Sequence, residues 1–281
     1  MARGHTPTIK ARRLGAILKA TREQFGLDLA QVAADIDVNA STVSRIERGL
    51  HQSDQETMKA LFNRYHLTFD QQRELLDLAA EAFRSGWWLE YGDVLHDVFA
   101  VTEDEAHQIL SFQSQVVPGL LQTDAYARAL FADGLAAPDT WETDDLERRV
   151  RARRERRAIL DRINPPQLHA VLGETAIRQQ VGGTDVMRAQ LRHLMEMGQR
   201  ENVTLQVLPY SAGAHAGLGG PFIIFEFDHE DYPDVVHTEN LSGSAYSESK
   251  TAVQRFRLAW GSVTDAALTP SKSAEFIAAL A

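Results

Sequence analysis

The sequence predicts an all-α N-terminal domain, a helical linker region, and an α+β C-terminal domain built on a small, mostly antiparallel sheet. Three observations carry this. Apolar residues recur at helical spacing from Ile9 to about Arg84,. After "NPP" at 164–166 the period shortens to two, and three runs rich in β-branched or alternating residues follow,. The last of these runs are joined by short connections, as antiparallel neighbours are. A chain of 281 residues, 44% of them apolar, is long enough for roughly two domains of about 100 to 200 residues,.

In chain order, the first helix spans Ile9 to Phe25, with Ile9, Leu14, Ile17, Leu18 and Phe25 on its apolar side and Gly26 closing it,. Asp28 caps a short helix, Leu29 to Ile36, and Asn39 caps the next, Ala40 to Arg48, which Gly49 ends,. Asp54 caps a fourth helix whose Met58, Leu61, Phe62 and Tyr65 face inward. A fifth, from about Asp70 to Arg84, leads into "GWWLEY", where Trp87, Trp88 and Tyr91 seat the linker by packing,. Domain limits of 1–68, 69–91 and 92–281 follow.

From 92 to 162 the pattern stays helical, with breaks at "VVPGLLQT" and "GLAAPD" and a charged helix through "LERRVRARRERRAIL". Strands are then expected around Leu168–Leu172 and in "NVTLQVLP", "PFIIFEF" and "DVVHTEN". A helix at 184–199 separates the first two, and helices near 247–262 and 270–280 end the chain.

The formal charge of −10 is unevenly spread. Residues 1–67 hold ten Lys or Arg against seven Asp or Glu, net +3, which leaves −13 for the rest. Residues 1–22 carry Arg3, Lys10, Arg12, Arg13, Lys19 and Arg22 with no acid. A basic face on a small N-terminal unit is the electrostatic footprint of phosphate binding.

Between Leu29 and Arg48 the sequence builds two short helices that cross steeply, a helix-turn-helix. Val32, Ala33, Ile36, Val38, Val43 and Ile46 supply the contact, and Ala33 sits where the helices approach most closely,. The turn "DIDVN" requires a residue that tolerates positive φ, and Asp37 occupies that place,. With Val43 and Ile46 inward, the helical period turns Ala40, Ser41, Thr42 and Arg45 outward together. That is the end such a helix presents to the major groove. Arg45 suits guanine O6 and N7, Ser41 and Thr42 suit base edges or phosphate, and the methyls of Ala40 and Thr42 suit a thymine methyl. Phosphate contacts are assigned to Asn39, Arg48, Lys19, Arg12 and Arg13.

Here the sequence resembles a family, the XRE type of helix-turn-helix regulators related to the Cro and lambda-repressor DNA-binding domains. The residues are "GLDLAQVAADIDVNASTVSRIERG", with Ala33, Val43, Ile46, Glu47 and Gly49 at the pattern positions. The resemblance implies a structural pair between Arg22 and Glu47. It also notes a departure, Leu29 standing where many relatives have a phosphate-holding Gln. The remainder, through "GWWLEY", "SQVVPGLLQTDAYARAL", "VGGTDVMRAQLRHLMEMG", "NVTLQVLPYSAGAHAGLGGPFIIFEF" and "DVVHTENLSGSAYSES", resembles the C-terminal domain of actinobacterial WhiJ-like, antitoxin-like regulators. That resemblance implies a transcription regulator, with a small BldB-like protein as partner.

Several other chemistries find no support. There is no cysteine, and so neither disulfide nor thiolate metal site,. The first twenty residues hold five Lys or Arg and no apolar run for a signal peptide, and no stretch is long enough for a membrane helix,. A cytoplasmic, nucleoid-associated protein is expected. "GAHAGLGGPF" lies between two strands, so it is read as a hairpin-like loop rather than a dinucleotide cradle,. His229, His237 and Glu239 are close in sequence but lack firm ligand spacing, so no metal is expected,. The seven arginines from Arg148 to Arg157 spread around a helix with Asp144, Asp145, Glu147 and Glu155, which reads as a solvated or interface helix,. No enzyme motif or cofactor site appears.

The expected function is sequence-specific binding of double-stranded DNA by a homodimer on near-palindromic operators. The alternative is an antitoxin-like protein that binds a small partner and uses DNA for autoregulation.

Overall fold

The computed structural model describes residues 7–83, 87–91, 97–134, 143–228 and 232–281. Expectations placed on Arg3, Arg84, Gly86, His229 and most of "GLAAPD" lie outside the described residues. The chain divides into two compact units, Met1–Leu89 with Asp97–Thr102, and Glu90–His96 with Glu103–Ala281.

The first unit is helical. Helix α1 (Ile9–Gln24) starts at Thr8, whose hydroxyl accepts from Ala11 N at 2.9 Å, and stops before Gly26, where φ is +66°,. Helix α2 (Leu29–Asp35) opens with a reciprocal capping box between Asp28 and Gln31,. Helix α3 (Ala40–Glu47) follows a turn in which Asp37 takes φ +55°, the left-handed conformation that the short α2–α3 connection demands,. Asn39 has the extended backbone of a cap, but its side chain makes no capping bond, contrary to expectation. Helix α4 (Gln55–Arg64) is capped by Asp54, which accepts from Thr57 N at 2.8 Å. That bond to the charged form holds the Asp54 carboxyl below its usual range,.

Helix α5 (Phe69–Ala82) begins at Thr68 with a second capping box. Drawn from sequence as part of the linker, it packs along α1 instead. Leu75 joins Leu14, Leu18, Val32, Ala33, Val43, Ile46, Met58, Leu61, Phe62 and Tyr65 in one buried core. Thr8 donates to Ala82 O at 2.8 Å, tying the end of α5 to the start of α1. Trp88 and Tyr91, in a 3-10 turn at Trp87–Tyr91, are buried as their bulk predicts,.

The second unit is α+β. Helix α6 (Asp97–Glu105), whose residues up to Thr102 count with the first unit, precedes strand β1 (Gln108–Gln113); then come α7 (Asp124–Ala129) and α8 (Thr143–Arg157). Strand β2 (Gln167–Gly173) leads through α9 (Glu174–Arg178) and α10 (Thr184–Met197) to β3 (Val203–Leu208). Strands β4 (Phe222–Glu226), β5 (Val235–Asn240) and β6 (Gly243–Ser247) precede α11 (Lys250–Ala266) and α12 (Pro270–Ala278). One six-stranded sheet runs β3-β2-β1-β4-β5-β6. β1, β2 and β3 are mutually parallel, while the β1–β4, β4–β5 and β5–β6 pairings are antiparallel, so the sheet is mixed and mostly antiparallel.

Strand β1 is where the sequence expectation of an all-helical 92–162 fails. "QILSFQ" is six residues long and its Ser111 interrupts the apolar run, yet it is the strand on which the parallel and antiparallel halves meet,. On one face of the sheet Leu110, Phe112, Val171, Phe222, Ile224 and Val236 pack under Val253 and Val263 of α11. The edge strand β3 is covered by α12. Val207 N donates to Ser273 Oγ and Leu268 N donates to Val207 O, both at 2.8 Å. The glycine-rich segment expected as a hairpin-like loop is not one, because β3 and β4 are three places apart in the sheet. It makes 3-10 turns at Tyr210–Ala212 and Ala216–Gly219, and Gly217 presses on Phe112, where a Cβ would come within 2.5 Å of the ring. No helix of the described residues is long and apolar enough to cross a membrane.

Candidate nucleic-acid interface

The orientation of α3 is set by two close backbone approaches to α1. A Cβ on Gly15 would lie 2.4 Å from Glu47 O and 2.9 Å from Ile46 O, so α1 lets α3 cross only because position 15 has no side chain,. Gly49, at φ +69°, turns the chain away directly over Ala11, whose carbonyl would be 2.6 Å from an added Cβ. The sequence reading used Gly49 as a helix stop and overlooked Gly15. A lone glycine inside "LGAIL", in an otherwise strong helix, was the signal for it,.

Beneath this crossing Arg22 clamps Glu47. Arg22 Nε donates to Glu47 Oε1 at 2.7 Å and Nη2 to Oε2 at 3.1 Å, with both side chains buried. The third nitrogen, Nη1, donates to Leu27 O at 2.7 Å and so reaches the loop before α2. The bond to Glu47 raises the Arg22 pKa further above its ordinary value,. Tyr65 Oη stands 3.5 Å from Glu47 Oε1, and burial raises its pKa well beyond that of a free phenol,. The Arg22–Glu47 pair thus ties α3 to α1 and to the end of α4 through the carboxylate, and to the α1–α2 loop through the guanidinium.

With Val43 and Ile46 buried, the opposite face of α3 is free. Ser41 and Arg45 are exposed, and Ala40 and Thr42 are half-buried on the same end. Arg45 makes no ion pair among the described residues, so its guanidinium is available to a ligand. Arg48 is exposed at the C-terminal end, its Nε leaning on Ser44 O at 3.3 Å. Asn39 is exposed and has no bond to α3. Lys19 is exposed and lies 3.9 Å from Glu23, too loose to immobilise it,. Arg12 and Arg13 are half-buried and already engaged in contacts, which makes them less available than Lys19 or Arg48. Leu29 packs against the core.

In the second unit the arginines of α8, expected on a solvated or interface helix, range from exposed (Arg151, Arg154) through half-buried (Arg148, Arg149, Arg153, Arg157) to buried (Arg156), and several are held in ion pairs. Glu103 takes Arg156 in a buried bidentate pair at 2.6 and 2.8 Å, Arg128 pairs with Glu147 at 2.9 Å, and Arg154 and Arg157 share Asp124. An open cleft of about 660 Å³ lies beside the glycine-rich segment, lined among others by Gly219, Gly220, Phe222, Arg255, Phe256 and Leu258. His237 is buried against Tyr246, with ring centroids 4.8 Å apart. Among the described residues no group of three or more His, Asp or Glu is placed to hold a metal ion.

Comparison with known proteins gives two matches. A family model described as "Helix-turn-helix domain" matches residues 13–76. A second, described as "Domain of unknown function (DUF5753)", matches residues 97–279. No curated protein and no solved structure matches the chain.

Proposed function

We propose, from the premise that this chain belongs to the DUF5753 family and carries a helix-turn-helix domain before that region, that it is a sequence-specific DNA-binding transcription regulator. The observation that carries the reading is the exposed Arg45, unpaired among the described residues, beside Ser41, Thr42 and Ala40 on a helix whose other side is locked into the core. A guanidinium held on a rigid helix suits a bidentate pair with guanine, worth about 1–3 kcal/mol of discrimination against another base. Arg48, Asn39 and Lys19 supply phosphate contacts, with Arg12 and Arg13 in a lesser part.

An eight-residue helix spans few base pairs, so useful specificity requires two copies. We take the active species to be a homodimer on a near-palindromic operator, with half-sites about 34 Å or a multiple of it apart. Its working place is then the nucleoid. The resemblance to XRE regulators and to WhiJ-like proteins supports the same reading. Footprinting the full chain on DNA upstream of its own gene tests it: a symmetric footprint that collapses with Arg45→Ala is expected, and protection of no discrete sequence would overturn it.

A second reading is an antitoxin-like protein that binds a small partner, with DNA binding for autoregulation. Exposed Leu218 and Leu258, one next to and one lining the cleft of the second unit, favour it,. Stable co-purification with a small protein encoded next to it is the outcome that would select this reading.

A further inference from the structure

Arg153, on the inner part of α8, is a half-buried guanidinium for which the described residues supply no carboxylate partner. Arg153 and Arg156 of α8 both reach over Gly119, where an added Cβ would lie 2.0 Å from Arg153 Nη1 and 3.2 Å from Arg156 Nη2. Glycine's bare backbone is what lets the two cations meet there. Glu103 is spent on Arg156, which it grips with both oxygens. Arg153 makes no hydrogen bond or ion pair among the described residues; its Cζ sits 5.2 Å from the centroid of the Phe131 ring,. Glu239 is within electrostatic reach of Arg153 but is not paired with it. Burial, with Arg156 alongside, pushes the Arg153 pKa down to about 9,.

A second donor faces the same charges. Tyr246, opposite His237 in the β5–β6 pairing, has an Oη that is enclosed and without a hydrogen-bond partner among the described residues. Glu239, Arg156 and Glu103 all act on it, and burial together with the acids keeps the phenol protonated, as a donor,. Like charges side by side in a low-dielectric interior repel, and enclosed polar groups in native proteins are normally satisfied by protein, water or an ion.

We propose that this cluster binds a small oxyanion, a carboxylate or a phosphate, through the fork of Arg153, with Tyr246 Oη, which shares its charged neighbours, as a further donor. Planar bidentate recognition is what arginine does best with both groups. The Phe131 ring supports the guanidinium from one side, and Glu239, whose charge acts on both Arg153 and Tyr246, limits how much anionic charge they accept. The site is independent of the DNA-binding reading, because every residue in it belongs to the second unit.

The test is thermal unfolding of the full chain in sodium phosphate or sodium acetate, each against sodium chloride at equal ionic strength. Native protein is expected to gain roughly 3–5 °C in Tm per tenfold rise in the bound anion above its Kd. A response to phosphate alone identifies a phosphoester ligand, one to acetate alone an organic acid, and one to both leaves the shared oxyanion chemistry standing. Arg153→Gln should abolish the response while being no less stable than native protein in chloride, since it removes a repulsion. Tyr246→Phe should weaken the response several-fold without loss of stability in chloride. Arg255→Gln, which lines the open cleft and is not among the charges acting on Arg153, should leave the response intact. No gain beyond chloride, an undiminished gain in Arg153→Gln, or a marked drop in the stability of Arg153→Gln in chloride would overturn the proposal, the last by making Arg153 a purely structural residue.

Discussion

Removing Arg22 should unlock α3 more severely than the loss of a surface arginine could. The Arg22 and Glu47 side chains are 10% and 5% exposed, and their two bonds are 2.7 and 3.1 Å long. In Arg22→Ala the Glu47 carboxylate stays buried with a contact to Tyr65 Oη at 3.5 Å, which is at the limit of a hydrogen bond,. Breaking a buried pair from one side costs about 3–5 kcal/mol, against about 0–1 for an exposed pair. Replacing both partners together, as Arg22→Met with Glu47→Leu, leaves no orphan charge and should cost far less than the two single changes summed. Hydrogen exchange of the α1 and α3 amides in the full chain reads the first unit directly, and operator affinity should fall in step with it. If Arg22→Ala costs under about 1 kcal/mol, or the double replacement costs as much as the two singles added, the carboxylate is not the clamp described here.

Other expectations follow from single contacts. Arg45→Ala should flatten the preference among operator sequences, with about 1–3 kcal/mol lost at one base position, whereas Lys19→Ala should weaken all DNA about equally; competition binding with point-substituted operators at fixed salt separates the two. Gly15→Ala gains about 1 kcal/mol of helix propensity, yet its Cβ would stand 2.4 Å from Glu47 O. Overpacking of about 1–3 kcal/mol against an immovable backbone should win, so a denaturation midpoint at or above that of native protein would contradict the crossing geometry. Burial depresses the pKa of His169, against a hydrogen bond to Gln206, and of His193, with Arg157 adding to the effect. The unfolded chain therefore takes up protons first as pH falls below about 6.5, and stability should be full above that value and decline beneath it. A Tm profile from pH 7.5 to 5.5 checks this, and His169→Gln should make it shallower.

The helical unit was legible because its signals are local. Asp28 and Asp54 announce helix starts, Gly26 and Gly49 announce stops, and Asp37 accepts positive φ, all within a few residues of the element they govern. Asn39 shows the limit of such signals, since a cap residue in cap geometry still leaves its side chain unbonded. The second unit was less legible because its organisation is long-range. Strand β1 reads ambiguously by itself and becomes the middle of the sheet only through partners at 167–172 and 222–226. The arginine run of α8 reads as a solvated or interface helix because Glu103 and Asp124, which pair with Arg156, Arg154 and Arg157, are 30 to 53 residues away. Gly15 stands out as a lone glycine in a strong helix but does not say which backbone crosses it, and Gly119 carries no sign of the guanidinium over it.

The last fourteen residues act as a guard rail for the sheet. Both backbone polar groups of Val207 on the β3 edge are occupied by Leu268 and Ser273. Cleavage before Leu268 would strip them bare beside Val203 and Leu205, leaving a hydrophobic border with vacant donors and acceptors. Such a border invites neighbouring molecules to add strand upon strand. A clipped tail would therefore turn a well-behaved domain into a seed for insoluble assembly, and purification tags belong at the N-terminus or beyond Ala281.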